Sequence, residues 1–137
     1  MAPTSAIRKA PLAKKSIRVD LTRQIVEAFE GTTLIYRFEC VSGDASHPTD
    51  RGIFRVFDKQ KSYTSHTYRV PMNFALFFTH DRKAIHQYHG PVPLSLIRNA
   101  RSSISEWFGS HGCVRLVEAD AKTLFEWTPS GTKVQVI

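Results

Sequence analysis

The chain has 137 residues, 42% of them hydrophobic, and carries a formal charge of +7 with a pI of about 9.7. That length suits one buried core plus a tail and leaves little room for a second domain. Arg8, Lys9, Lys14 and Lys15 lie in an acid-free stretch before Ile17, so the body is only mildly basic. No RNA-recognition signature or zinc-finger spacing follows that arm, and nucleic acid is not an expected partner. No run approaches the ~20 apolar residues that cross a bilayer, so no stable membrane insertion is expected.

Met1 to Ser16 shows scattered Ala, Ile and Leu among basic residues, without the continuous apolar core of a secretory signal. The expected organisation is a basic, disordered tail over 1–16 and a folded domain over 17–137. Ile17, Val19 and Leu21 alternate with polar neighbours as a strand. Gln24 to Glu30, Gly31 and Thr33 to Val41 then read as a hairpin turning at the glycine. Cys40 falls in register with Leu34, Tyr36 and Phe38 on the face taken as inward, which makes it an inert core thiol. Ser42 to Arg51 contains Gly43, Asp44, Pro48 and Asp50, a loop composition ahead of a strand at Gly52 to Asp58.

Met72 to Phe78 and Ala84 to His86 have strand character. Leu94, Ile97, Ile104, Trp107 and Phe108 recur at helical spacing, with Arg98 and Arg101 on the polar side and Gly109 as a stop, which predicts a helix or helical lid over Pro93 to Phe108. Val117, Ala121, Leu124 and Phe125 make a second helical stripe, ended by Pro129 and Gly131, and Lys133 to Ile137 alternates as a last strand. The expected fold class is mainly β, sandwich or barrel-like, with one or two short helices. Tyr63, Tyr68, Trp107 and Phe108 are read as core aromatics rather than site residues.

The run Ser110-His111-Gly112-Cys113-Val114-Arg115-Leu116 places a thiol beside an imidazole and a glycine. A cysteine attacks as its thiolate, and a nearby histidine promotes that form. Gly112 lets the backbone approach a substrate, and the amides around Gly112 and Cys113 can receive the oxyanion of acyl transfer. His111 is placed to orient the loop or tune the thiol, and Arg115 offers a fork of donors to a substrate carboxylate. Upstream, His86 and His89 are both candidates for the base, and His86, at the end of an apolar strand, also reads as a satisfied core histidine. A different class of function is a zinc site, since His86-x-x-His89 with His111-x-Cys113 offers a His3Cys set. Repeated Cys pairs, the commoner zinc pattern in small domains, are missing, and neither a metal nor another cofactor is expected.

Ser110 to Leu116 resembles, residue for residue, the signature of the YkuD-type L,D-transpeptidases. Weaker matches follow in the family's order: Ile17-Arg18-Val19-Asp20-Leu21 with Gln24, Val41-Ser42-Gly43, Thr49-Asp50-Arg51-Gly52-Ile53-Phe54, Pro71 to Phe78, Ala84-Ile85-His86 and Gly131-Thr132-Lys133-Val134. Asp50 stands where the family usually has Pro. Gln87 follows His86 where Gly is usual, and His89-Gly90 restores a His-Gly pair. The resemblance implies a mixed, mostly β domain with the thiol at the end of a cleft. Cys113, His86, His111 and Gly112 would be catalytic there, and Ser110 and Arg115 would bind substrate. The implied partner is a peptidoglycan stem peptide in the periplasm or cell envelope. The implied reaction cleaves a tetrapeptide stem after the L-centre of diaminopimelate, releases D-Ala and passes the acyl group to an amine. Water as acceptor would make the site an L,D-carboxypeptidase, and loss of the Cys or both upstream histidines would mark a non-catalytic wall-binding module.

Overall fold

The computed structural model describes residues 14–66, 69–99 and 112–137. Two sheets pack around a common core. The first orders β3 (Thr33–Glu39), β2 (Ile25–Glu30), β1 (Lys15–Asp20), β9 (Lys133–Val136) and β4 (Gly52–Arg55). The second orders β5 (Asp58–Gln60), β6 (Ala75–Phe77), β7 (Ala84–Gln87) and β8 (Val114–Leu116). Residues 94–99 form a helical stretch, α1, and Glu118–Trp127 forms α2, which packs on β6, β7 and β8. The fold is therefore mainly β, as the alternation predicts.

Alternation explains the first sheet. Ile17 and Val19 of β1, Val26 and Ala28 of β2 and Val134 and Val136 of β9 turn inward, where they meet Ile85, Val114 and Leu116 of the second sheet and Ala121 and Leu124 of α2. Gly31 turns the β2–β3 hairpin at φ 61, a conformation glycine adopts without Cβ strain. Gln24, also at positive φ, buries its side chain, donating from Nε2 to Leu21 O and Ser42 Oγ while Oε1 accepts from Ser42 N–H. Cys40 lies in the core as expected, but Leu34 is 40% exposed. Tyr36 and Phe38 do pack against the core, and they stack on one another with ring centroids 5.4 Å apart.

Four strands depart from the expected bounds. The run Gly52 to Asp58 is not one strand. Val56 N–H still donates to Thr132 O beside the first sheet, whereas Phe57 N–H donates to Phe77 O of the second, so the chain changes sheets between those residues. The Met72 to Phe78 strand shortens to Ala75–Phe77, because the backbone turns at Asn73 and Phe74, the latter at φ 53. β3 ends at Glu39, and Val41 leaves to bridge Arg115 antiparallel. At the other end, β1 begins at Lys15, so Lys15 and Ser16 belong to the sheet rather than to a tail. Residues 1–13 lie outside the described residues. So do Ile104, Trp107 and Phe108 of the expected lid helix, whose first turns are seen at 94–99 with Leu94 and Ile97 buried.

Candidate active site

β7 and β8 run parallel and in register, with His86 opposite Arg115, so two segments far apart in sequence deliver their polar side chains to one end of the sheet. Cys113 immediately precedes β8. Its Sγ accepts the Ala84 N–H at 3.4 Å. Burial pushes the thiol up to about 11, against the opposing pull of the Ala84 amide and the charges of Arg115 and Lys83.

His86 is 5% exposed, and its Nδ1 lies 2.7 Å from the Gln87 carbonyl oxygen. A carbonyl only accepts, so Nδ1 carries the proton and Nε2 keeps its lone pair. Burial pushes the imidazole down to about 3, outweighing the Gln87 carbonyl that favours protonation. His89 is arranged the other way: its Nε2 accepts the Asn73 N–H at 3.2 Å, so that lone pair is engaged in holding the Asn73–Phe74 turn. Burial lowers its pKa as well, with Glu118 opposing. The free site therefore holds a neutral thiol and a neutral imidazole.

Cys113, His86 and Arg115 line one cavity of about 850 Å³, a size that admits a short peptide. Arg115 packs its guanidinium over the Tyr88 ring, 5.5 Å from the centroid. Lys83, across the cavity wall, lies with Nζ 2.9 Å from Asp50 and 3.1 Å from Asp81. Gly112 has φ +106, a conformation that favours glycine, and a Cβ there would come within 2.3 Å of Lys83 Cε, so the lysine side chain would have to shift.

Of the expected site residues, the structure gathers Cys113, His86 and Arg115 on the cavity wall, with Gly112 next to Cys113 in the chain, while Ser110 and His111 lie outside the described residues. His89 also lines the cavity. Tyr63, read as core, does both: it packs edge-on against Phe77 and forms part of the cavity wall. Lys83 and Tyr88 were not singled out from the sequence. A polar residue at the mouth of a strand carries no periodic signal, and only the unusual Asp50, the carboxylate that Lys83 meets, hints at it. Among the described residues no three His, Cys, Asp or Glu side chains are grouped as metal ligands.

Fold and cavity together define a mainly β catalytic domain. The family model for the YkuD L,D-transpeptidase catalytic domain matches residues 14–136, and the chain belongs to that family. None of the curated proteins matches the chain. Among solved structures, an L,D-transpeptidase from Stackebrandtia nassauensis is 28% identical with a TM-score of 0.77, over 97% of this chain and 60% of that one. The Ldtfm–avibactam carbamoyl enzyme is 27% identical with a TM-score of 0.73, over 90% of this chain and 49% of that one. A cysteine-to-serine mutant of the Enterococcus faecium L,D-transpeptidase is 25% identical with a TM-score of 0.72, over 90% of this chain and 50% of that one. The chain thus spans about half to 60% of the length of these relatives. Among the described residues, no helix is long and apolar enough to cross a membrane.

Proposed function

We propose that this domain is a peptidoglycan L,D-transpeptidase that works through an acyl-enzyme on Cys113. His86 Nε2 removes the thiol proton as Sγ attacks the carbonyl of the L-centre of diaminopimelate in a tetrapeptide stem. The charge that develops on the carbonyl oxygen is received by the amides around Gly112 and Cys113. The amide bond to D-Ala breaks, His86 gives its proton to the departing nitrogen, and the stem remains as a thioester. An acceptor amine then attacks that thioester. His86 takes the amine's proton and returns it to the leaving thiolate, giving a 3,3 cross-link or an attached protein. Arg115, steadied by Tyr88, pairs with a substrate carboxylate, with Ser110 beside it, and His111 orients the loop that carries the thiol. This substrate places the working domain in the periplasm or cell envelope.

The observation that carries the reading is the state of His86: a buried neutral imidazole, its Nδ1–H given to Gln87 O, leaving Nε2 as an acceptor in the cavity that Cys113 lines. The relative described as an avibactam carbamoyl enzyme supports an acylable group in this fold. Incubation with defined tetrapeptide muropeptides, read by mass spectrometry, tests the proposal. D-Ala release with a cross-linked or amine-capped product is expected. D-Ala release with free tripeptide alone identifies water as the acceptor, and no D-Ala release from folded protein with a reduced thiol overturns the reading.

A further inference from the structure

Gly112 is held by a residue far from it in sequence. Thr49 is 4% exposed, and its Oγ1 donates to the Gly112 carbonyl at 2.8 Å while accepting the Gly43 N–H at 3.0 Å. With the Gly43 amide occupying a lone pair, the hydroxyl proton has one direction to take, toward Gly112. The glycine is also wedged. A Cβ at Gly43 would come within 2.9 Å of Gly112 Cα, and a Cβ on Gly112 would strike the Lys83 stem. Lys83 is in turn paired at 2.9 Å with Asp50, the neighbour of Thr49, so the Thr49–Asp50 dipeptide reaches Gly112 by two routes.

No cis peptide occurs among the described residues, so the Gly112–Cys113 unit is trans and the Cys113 N–H points opposite to the Gly112 carbonyl. Thr49 holds that carbonyl from outside the cavity lining, whereas Cys113 and Lys83 belong to the lining. We infer that Thr49 is a positioning residue: its hydroxyl sets the plane of the Gly112–Cys113 peptide and so aims the Cys113 amide at the oxyanion formed during acyl transfer. The inference rests on Cys113 being the nucleophile.

Two reactions of the same thiol test it. Acylation by a β-lactam or avibactam passes through a tetrahedral oxyanion, whereas alkylation by iodoacetamide is a displacement at carbon that forms none. Thr49→Val keeps the side-chain volume and removes the hydroxyl. Its acylation rate is expected to fall about tenfold or more, given the ~10²–10³ that a lost oxyanion donor costs. Its alkylation rate stays within about threefold of wild type, since thiol reactivity does not use that amide. Thr49→Ser restores acylation. Should Thr49→Val fail to fold, Thr49→Ala, which also lacks the hydroxyl and adds no thiol, carries the same comparison. Acylation and alkylation falling together would reduce Thr49 to a structural tether, and unchanged acylation in both variants would overturn the inference outright. An adduct that persists in Cys113→Ala signals a different failure, that of the nucleophile assignment itself.

Discussion

His86 and His89 both line the cavity, yet they hold their protons on opposite terms. His86 gives its Nδ1–H to Gln87 O and keeps Nε2 as an acceptor, whereas His89 already uses Nε2 on Asn73 N–H. His86→Ala is therefore expected to lower turnover about a hundredfold or more, and His89→Ala less than about tenfold. D-Ala release rates for the two variants check this, and a crippled His89→Ala beside a near-wild-type His86→Ala would exchange their roles. The thiol supplies a second expectation. With Cys113 pushed up to about 11, iodoacetamide reactivity rises steadily through neutral and alkaline pH. A plateau of high reactivity between pH 6 and 8 would instead reveal a standing thiolate–imidazolium pair.

Folding itself feels His86. Its folded pKa lies below its unfolded value, so the unfolded chain takes up the proton first. The associated stability is complete above about 6.5 and is lost as pH falls toward about 3. The slope in that window approaches about 1.4 kcal/mol per pH unit for one group. His89 adds to it in the same direction. His86→Gln is expected to flatten the decline between pH 6.5 and 5, measured by urea unfolding, and an unchanged slope would place the pH sensitivity elsewhere.

At the scale of elements, β1 and β2 are joined by a charge cluster as well as by their ladder. Glu27 is 1% exposed on β2, and its carboxylate takes Arg18 at 2.8 Å, Arg37 at 2.9 Å and Arg23 at 3.4 Å. The hydrogen bond from Arg18 does most to hold its pKa below the usual carboxylate range, opposed by burial and assisted by Arg37. Glu27→Gln should cost about 2–3 kcal/mol in urea unfolding at neutral pH, less than at a fully buried pair because the guanidiniums stay in water. A loss under about 0.5 kcal/mol would show the cluster to be ornamental surface charge. The start of β1 matters too. Lys14 O accepts the Gly31 N–H at 2.8 Å, and Lys15 Nζ donates to Trp127 O at 2.8 Å while sitting over its ring. A chain beginning at Lys14 is expected to melt with the full chain, and one beginning at Ser16 several degrees lower, about 4 °C or more. Equal melting of all three would return Lys15 to the tail.

Elements whose partners are near in sequence were the legible ones. The β2–β3 hairpin follows from alternation around Gly31, and α2 from the Ala121–Leu124 stripe. The change of sheet at Val56 and Phe57 was not legible, because no glycine or proline interrupts the run from Ile53 to Asp58. Its cause is pairing with Thr132 and Phe77, neither of which is local. The site divides the same way. The heptapeptide around Cys113 and the strand ending near His86 point to the chemistry, whereas Thr49 is separated from Gly112 by 63 positions and Lys83 from Asp50 by 33. Only the folded chain brings those pairs together.

Over the whole molecule, the core contributed by both sheets and α2 fixes β7 and β8 against one another, so His86 is set on a strand and Cys113 at the entry to its neighbour. Side chains on such a scaffold hold the sub-ångström placement that covalent chemistry needs. Everything proposed for the site depends on acylation at Cys113 Sγ. Intact-protein mass spectrometry after exposure to avibactam or a carbapenem, with the modified peptide mapped, tests it most directly. A single adduct on Cys113 is expected, absent in Cys113→Ala and formed about a hundredfold more slowly in His86→Ala. Folded, reduced protein that gains no mass, or an adduct that survives Cys113→Ala, would contradict it.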